Sequence, residues 1–164
     1  MARILIVDDD VGMTDLLKLH LRRDGLEIET AADAVIAFKS IMQQLPDLIL
    51  LDVEMPYMGG LEVLQALKSD PSTASRPVIV LTSRKDDETF AEAKRLGADA
   101  FLNKPVSKEE LLREVLLSFG VVSKDAMRNG RLATASKHEL VRTLHDFLLS
   151  LVPLSIHQKL PRSR

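Results

Sequence analysis

No cysteine occurs in the 164 residues, which excludes disulfides and thiolate metal centres. Tryptophan is also missing, tyrosine occurs once and phenylalanine five times. So few aromatics argue against a surface that stacks bases or sugars. No apolar run approaches the length of a membrane span, and the first residues lack an apolar segment followed by a cleavage site. A cytoplasmic location without membrane contact is therefore expected. No internal repeat and no low-complexity tract is visible. What is present is ordinary for a soluble domain: 46% hydrophobic and 28% charged residues. The length suits one domain with a proper core, with some residues left over.

The net charge of −2 hides an asymmetry. Residues 1–120 carry 14 basic and 21 acidic side chains, a balance of −7, whereas 121–164 carry 8 basic and 3 acidic, a balance of +5. Two regions of opposite sign suggest two roles, or a tail lying on the acidic part. The expected division is 1–120 and 121–164.

Short aliphatic runs alternate with helical periods. Arg3–Val7, Leu26–Thr30, Leu48–Leu51, Val78–Leu81 and Ala100–Leu102 read as strands, mostly apolar on both faces as in a buried parallel sheet. Between them, helical faces are expected from Met13, Leu16, Leu17 and His20; from Val35, Phe38, Met42 and Leu45; from Leu61, Leu64 and Leu67; and from Phe90, Ala93 and Leu96. A fifth face, Leu111 to Phe119, opens on Ser107 with Glu110 in capping-box spacing. The pattern predicts an α/β fold: a doubly wound, five-stranded parallel sheet with five helices, plus a short helical C-terminal extension.

In such a sheet the chemistry lies beyond the carboxyl ends of the strands. Asp8, Asp9 and Asp10 follow strand one, Asp52 closes strand three, Thr82 closes strand four, and Asn103, Lys104 and Pro105 follow strand five. Adjacent aspartates repel one another, so a positive partner belongs there. Clustered carboxylates suit a hard divalent cation such as Mg²⁺. A lysine and a threonine opposite it can hold phosphoryl oxygens, leaving one aspartate free as nucleophile. An aspartate after a strand also serves as a helix N-cap, and Asp9 or Asp10 could cap the helix starting near Val11.

The stretches "RILIVDDD", "PDLILLDVEMPYMGGLEVLQALK", "PVIVLTS" and "GADAFLNKPVSKEELL" together resemble the receiver domain of two-component response regulators, over nearly all of residues 1–120. The resemblance implies strand order 2-1-3-4-5, a cytoplasmic signalling switch rather than a metabolic enzyme, and Mg²⁺ as cofactor. It implies that Asp52 is the phosphoacceptor. Asp9 would bind the metal directly, Asp8 mainly through water, with Asp52 and the backbone carbonyl of Glu54 as further ligands. Thr82 would be the switch hydroxyl, Lys104 the lysine that pairs with the phosphoryl group, and Phe101 the aromatic switch. The Lys104–Pro105 bond would be cis. Gly59 stands where an aspartate is common, and Phe101 where tyrosine is commoner. Glu54 and Arg84 flank the site and could pair across its entrance, hindering an attacking water. The implied partners are a histidine kinase or phosphotransfer protein.

Two other readings fit parts of the pattern. "ILIVDDDVGMT" also suits a haloacid-dehalogenase-like phosphatase with Asp8 as nucleophile and Asp10 as general acid, which leaves Asp52 unexplained. A receiver-like interaction module that is not phosphorylated is the second. An FMN-binding sheet would need hydroxyls and amides after strand one, where carboxylates stand.

In 121–164, Leu140, Leu144, Phe147 and Leu151, with Val141, Leu148 and Val152, predict an amphipathic helix over roughly 137–152, stopped by Pro153. Its stripe could pack on the preceding domain, pair with a second copy, or begin an output module. No helix-turn-helix pattern is present, so nucleic acid is not an expected partner. His138 and His145 share a face but lack a third metal ligand.

Overall fold

The computed structural model describes residues 1–23, 25–121 and 137–150. Five strands, β1 (Ala2–Val7), β2 (Leu26–Ala31), β3 (Leu48–Asp52), β4 (Val78–Thr82) and β5 (Ala100–Asn103), form one parallel sheet in the order β2-β1-β3-β4-β5. Helices α1 (Val11–Leu21), α2 (Ala34–Gln43), α3 (Gly60–Ser69), α4 (Asp87–Arg95) and α5 (Lys108–Ser118) connect or follow them, and a sixth described helix, α6, spans Lys137–Ser150. The doubly wound architecture and the strand order are those expected.

Successive strand residues point to opposite faces, so each strand feeds two cores. On one face Ile4, Ile6, Leu48, Leu50, Ile79 and Leu81 meet Leu17 and Leu21 of α1 and the buried stripe of α5. On the other, Leu5, Val7, Ile49, Leu51, Val78 and Val80 meet α2, α3 and Ala93 of α4. Each fully buried aliphatic side chain contributes about 1.5–3 kcal/mol from water exclusion.

Two helical faces differ from expectation. In α1 the buried residues are Thr14, Leu17 and Leu21, while Leu16 is exposed. In α2 they are Ala34, Ala37, Ser40 and Ile41, and Val35 and Met42 face solvent at 77% and 87% exposure. The α2 face uses small residues where the helix lies close over β1 and β2. There the almost fully buried Arg3 reaches Ser40 Oγ at 3.1 Å, the Gln44 carbonyl and the Glu29 carboxylate. A search for large apolar residues selects the wrong side of such a helix.

Helix caps follow sequence chemistry. Asp10, Asp33, Asp86 and Ser107 each accept a hydrogen bond from a first-turn N–H, and Ser107 with Glu110 completes the predicted capping box. Gly97 ends α4 with φ of 96°, a left-handed conformation that glycine adopts without cost.

α6 lies on α5. Leu140 and Leu144 are fully buried in the same cluster as Leu111, Leu112, Val115 and Leu116, with Val141 and Phe147 packed beside them. Phe147 stacks on Phe119 at a centroid distance of 5.7 Å. Of the three placements open to the amphipathic stripe, α6 takes the one on its own chain. Leu151, Val152 and Pro153 lie outside the described residues.

Candidate functional site

The sheet register brings the strand ends together. Val7 pairs with Leu51, so Asp8 stands beside Asp52; Asp52 pairs with Leu81, and Thr82 with Asn103, so Lys104 follows directly. Residues far apart in the chain thereby share one edge, as the parallel order requires.

The three opening aspartates divide their tasks. Asp8 is buried; its Oδ1 accepts the Asp10 N–H at 2.9 Å and its Oδ2 accepts from Lys104 Nζ at 2.7 Å. Asp9 is exposed and faces the cluster. Asp10 turns away to cap α1, accepting the Met13 N–H at 3.0 Å. That capping role removes Asp10 from the pocket, so the arrangement of Asp8 and Asp10 as nucleophile and acid is not formed.

Lys104 reaches from the loop after β5 and follows a backbone hydrogen bond from its own N–H to the Thr82 carbonyl at 2.8 Å. The Lys104–Pro105 bond is cis. Its ammonium stands 2.7 Å from Asp8 and 2.9 Å from Asp52 Oδ1. The second contact is an ion pair without hydrogen-bond geometry, so Asp52 Oδ1 is buried with no hydrogen-bond partner. Burial pushes the Asp52 carboxyl up to about 7, with Asp8 and a hydrogen bond to Glu54 adding to the rise and Lys104 opposing it. Burial works against the Lys104 ammonium, but Asp8 and Asp52 more than offset it and hold it above its ordinary value.

Oxygens of Asp8, Asp9 and Asp52 all lie within 4.8 Å of one another. An all-oxygen, dianionic or trianionic set containing one orphaned buried oxygen fits a hard cation such as Mg²⁺. His138 and His145 on α6 take no part in such a cluster among the described residues.

Thr82 is fully buried, and its hydroxyl donates to Glu54 Oε1 at 2.7 Å. The same Glu54 carboxylate accepts the Arg84 N–H at 3.1 Å and the Ser83 N–H at 3.4 Å. Its burial works upward, yet the bonds from Thr82, Asp52, Ser83 and Arg84 hold it below its ordinary value. The Arg84 guanidinium stands 3.9 Å away and is 63% exposed. The expected pairing of Glu54 with Arg84 is thus present, but backbone N–H groups carry most of it. Backbone donors leave no mark in a sequence, so Ser83 was not legible as part of the site. Phe101, half-buried, meets Phe90 edge-on at 5.0 Å.

α3 also closes on the site. A Cβ added at Gly60 would lie 1.9 Å from the Asp52 carbonyl oxygen, so only glycine lets the helix begin this near the end of β3.

The response regulator receiver domain family matches residues 4–116. The chain belongs to that family. As a receiver-domain protein it is 35% identical over 153 residues to the DNA-binding dual master transcriptional regulator RpaA of Synechocystis, covering 93% of this chain and 60% of RpaA. It is 39% identical over 114 residues to the response regulator PleD of Caulobacter vibrioides, covering 70% of this chain and 25% of PleD. The chain therefore spans less than two thirds of either relative, 60% of the first and 25% of the second. Among solved structures, the chemotaxis protein CheY4 of Vibrio cholerae is similar with a TM-score of 0.66 at 34% identity, over 70% of this chain and 96% of that one. A CheY-like receiver domain protein from Methanospirillum hungatei gives a TM-score of 0.68 at 30% identity, over 79% of this chain and 99% of that one. No described helix of this receiver-domain protein is long and apolar enough to cross a membrane.

Proposed function

We propose that Asp52 accepts a phosphoryl group from the phosphohistidine of a histidine kinase or phosphotransfer protein, and that this biases a surface around α4, β5 and α5. Receiver domains as a family act with histidine kinases and output domains in two-component signalling. The observation that supports the reading most is the Lys104 ammonium set between Asp8 and Asp52 at the sheet edge.

In the proposed reaction an Asp52 oxygen bonds to phosphorus while the phosphorus–nitrogen bond of the donor breaks. The electron pair leaves with the imidazole nitrogen. Lys104 neutralises an oxygen of the transferred group, and Asp8 keeps the ammonium oriented. Mg²⁺ would be held by Asp8, Asp9, Asp52 and the Glu54 backbone carbonyl, and when bound it supplies further charge neutralisation at those oxygens. The Thr82 hydroxyl then turns to the new oxygens, and Phe101 moves inward from its contact with Phe90. Residues 1–120 form the receiver unit in this reading. The basic segment 121–164, through the face of α6 that is not packed on α5, is the contact to an output partner or a second copy.

Intact-mass measurement after incubation with acetyl phosphate and Mg²⁺ tests the reading. The protein gains one phosphate and Asp52→Ala gains none. A chain that gains no phosphate from either acetyl phosphate or a competent kinase would instead be an interaction module that works unphosphorylated.

A further inference from the structure

We propose that the outer face of α2 is a seam for a second copy of this chain, paired in parallel about a two-fold axis, with the groove between α2 and α3 on its flank. The proposal does not depend on Asp52 accepting a phosphoryl group.

Val35, Phe38, Met42 and Leu45 recur at spacings of three, four and three, the heptad positions a, d, a and d of a helix that pairs with another helix. The core of the domain takes the other side of α2, through Ala34, Ala37, Ser40 and Ile41. The seam is left in solvent: Val35 and Met42 are the most exposed residues of the stripe, and Leu45, just past the C-cap Gln44, is exposed as well. Beside it runs a groove of about 490 Å³, in which Phe38, Met42 and Leu45 face Ala66 and Leu67 of α3. Single apolar residues on a surface are ordinary, but a continuous stripe with a groove alongside marks a contact. α2 belongs to the sheet face opposite the one that carries α5 and α6, so this seam is separate from the docking of α6.

Charge complementarity points to a second copy and sets its direction. Lys39 is the only charged residue of 34–45, and Asp70 is the only charged residue lining the groove among the described residues; both are exposed. Lys39 takes heptad position e on one flank of the seam, while Ile41, at g on the other flank, lines the groove that holds Asp70. Parallel helices related by a two-fold axis set e of one against g of the other. Lys39 then lies toward the partner's Asp70, and the pair forms twice. An antiparallel pairing would instead set Lys39 against the partner's Lys39. A β-branched residue at a and leucine at d, as in Val35 and Leu45, also favour a parallel two-stranded contact. The surface is small. A standard interface buries about 800 Å² on each side, more than one helix of 10 residues and a groove rim supply. The pair is therefore weak, with a dissociation constant between about 1 µM and about 1 mM.

Sedimentation equilibrium of the full chain from about 1 µM to about 1 mM tests the seam. The parent chain associates to a dimer across that range. Met42→Lys places a charge in the seam at an exposed position near a helix C-terminus, where a cation suits the fold, and weakens association by about tenfold or more. Lys39→Glu sets a like charge against the partner's Asp70, and Asp70→Lys sets one against the partner's Lys39. Each of these alone associates about tenfold more weakly than the parent. Mixed in equal amounts, the two substituted chains regain opposite charges at both contacts, and association returns to the parental level. Misfolding of either chain cannot produce that recovery. A parent that stays monomeric throughout overturns the proposal. So does association that survives Met42→Lys but is lost in Leu149→Lys on the exposed side of α6, since the second copy then belongs to α6. Asp70→Lys at parental strength, or a mixture no stronger than either substituted chain alone, removes the Lys39–Asp70 pairing and the parallel order with it.

Discussion

The Lys104 ammonium lies 2.9 Å from Asp52 Oδ1, a buried oxygen that has no hydrogen-bond partner. Asp8, at 2.7 Å on the other side, holds the ammonium in place. Two carboxylates share one cation, so the pocket is short of positive charge. That deficit is the physical reason for expecting a divalent cation beside them.

Lys104→Met tests this balance. The substitution keeps the length of the side chain and leaves Asp8 and Asp52 buried without their counter-charge. Breaking a buried ion pair costs about 3–5 kcal/mol. Thermal unfolding in chelator at pH 8 should show a loss near the lower figure, because the third carboxylate, Asp9, is exposed and the pocket is open to water. At pH 5 the loss shrinks because the raised Asp52 carboxyl is protonated there. Mg²⁺ added at pH 8 restores part of it by replacing the missing charge.

The raised Asp52 carboxyl gives a second pH signature. Its ordinary value is 3.8 and its value in the fold is about 7. Between those two limits the unfolded chain has lost the proton and the folded one keeps it. Stability contributed by this group therefore falls as pH rises from about 4 to about 7, and is lowest above 7. Asp52→Asn removes the titrating group. In metal-free buffer the variant should be more stable than the parent at pH 8, by on the order of 2 kcal/mol, with the two converging near pH 4. Mg²⁺ binding runs the opposite way: the cation competes with the proton, so affinity rises from pH 6 to pH 8. A flat Mg²⁺ affinity across that range would remove Asp52 from the ligand set.

Much of this was legible in the chain because it is written in strand ends. The five aliphatic runs and their crossovers follow from periodicity, polar residues stand at the ends of all but the second, and the register then brings Asp8, Asp52, Thr82 and Lys104 to one edge. What was not legible has three causes. The inner face of α2 is built from Ala34, Ala37 and Ser40, and small residues carry little hydropathy signal beside the larger, exposed Val35 and Met42. The donors on Glu54 are main-chain groups of Ser83 and Arg84, which every residue possesses. Asp10 was ambiguous for a third reason: a carboxylate that caps a helix and one that serves a pocket have the same sequence context until the backbone is placed.

Gly60→Ala tests how tightly α3 is joined to the site. The new methyl would meet the Asp52 carbonyl oxygen at 1.9 Å, so the start of α3 or the end of β3 must move. Overpacking of this kind costs about 1–3 kcal/mol, and alanine's better helix propensity recovers less than 1 kcal/mol of it. The expected result is a stability loss accompanied by weaker Mg²⁺ binding, since the shift acts on the backbone that carries Asp52. A Gly59→Ala control, where the nearest atom to an added Cβ is 3.6 Å away, should leave both unchanged.

The last prediction concerns α6. Leu140 and Leu144 are fully buried against α5, and the stacked pair Phe119 and Phe147 closes the same contact. A helix of 14 residues is marginal on its own in water, so its order depends on that docking. Leu144→Ala removes buried surface worth about 2–5 kcal/mol in a rigid core, but here the helix can undock instead of leaving a cavity. The loss should then appear locally. Hydrogen exchange should show α6 amides unprotected in the variant while amides of β1 and β3 keep their protection, because Leu5 and Leu50 belong to layers formed without α6 or beneath α5. Undocking also bares the apolar stripe of α6 and part of α5. If α6 is the contact to a second copy, Leu144→Ala changes the sedimentation behaviour of the full chain; an unchanged monomer with a freed helix assigns the stripe to its own receiver core alone. Equal loss of protection across the whole sheet would mean that α6 is part of one cooperative unit with the core.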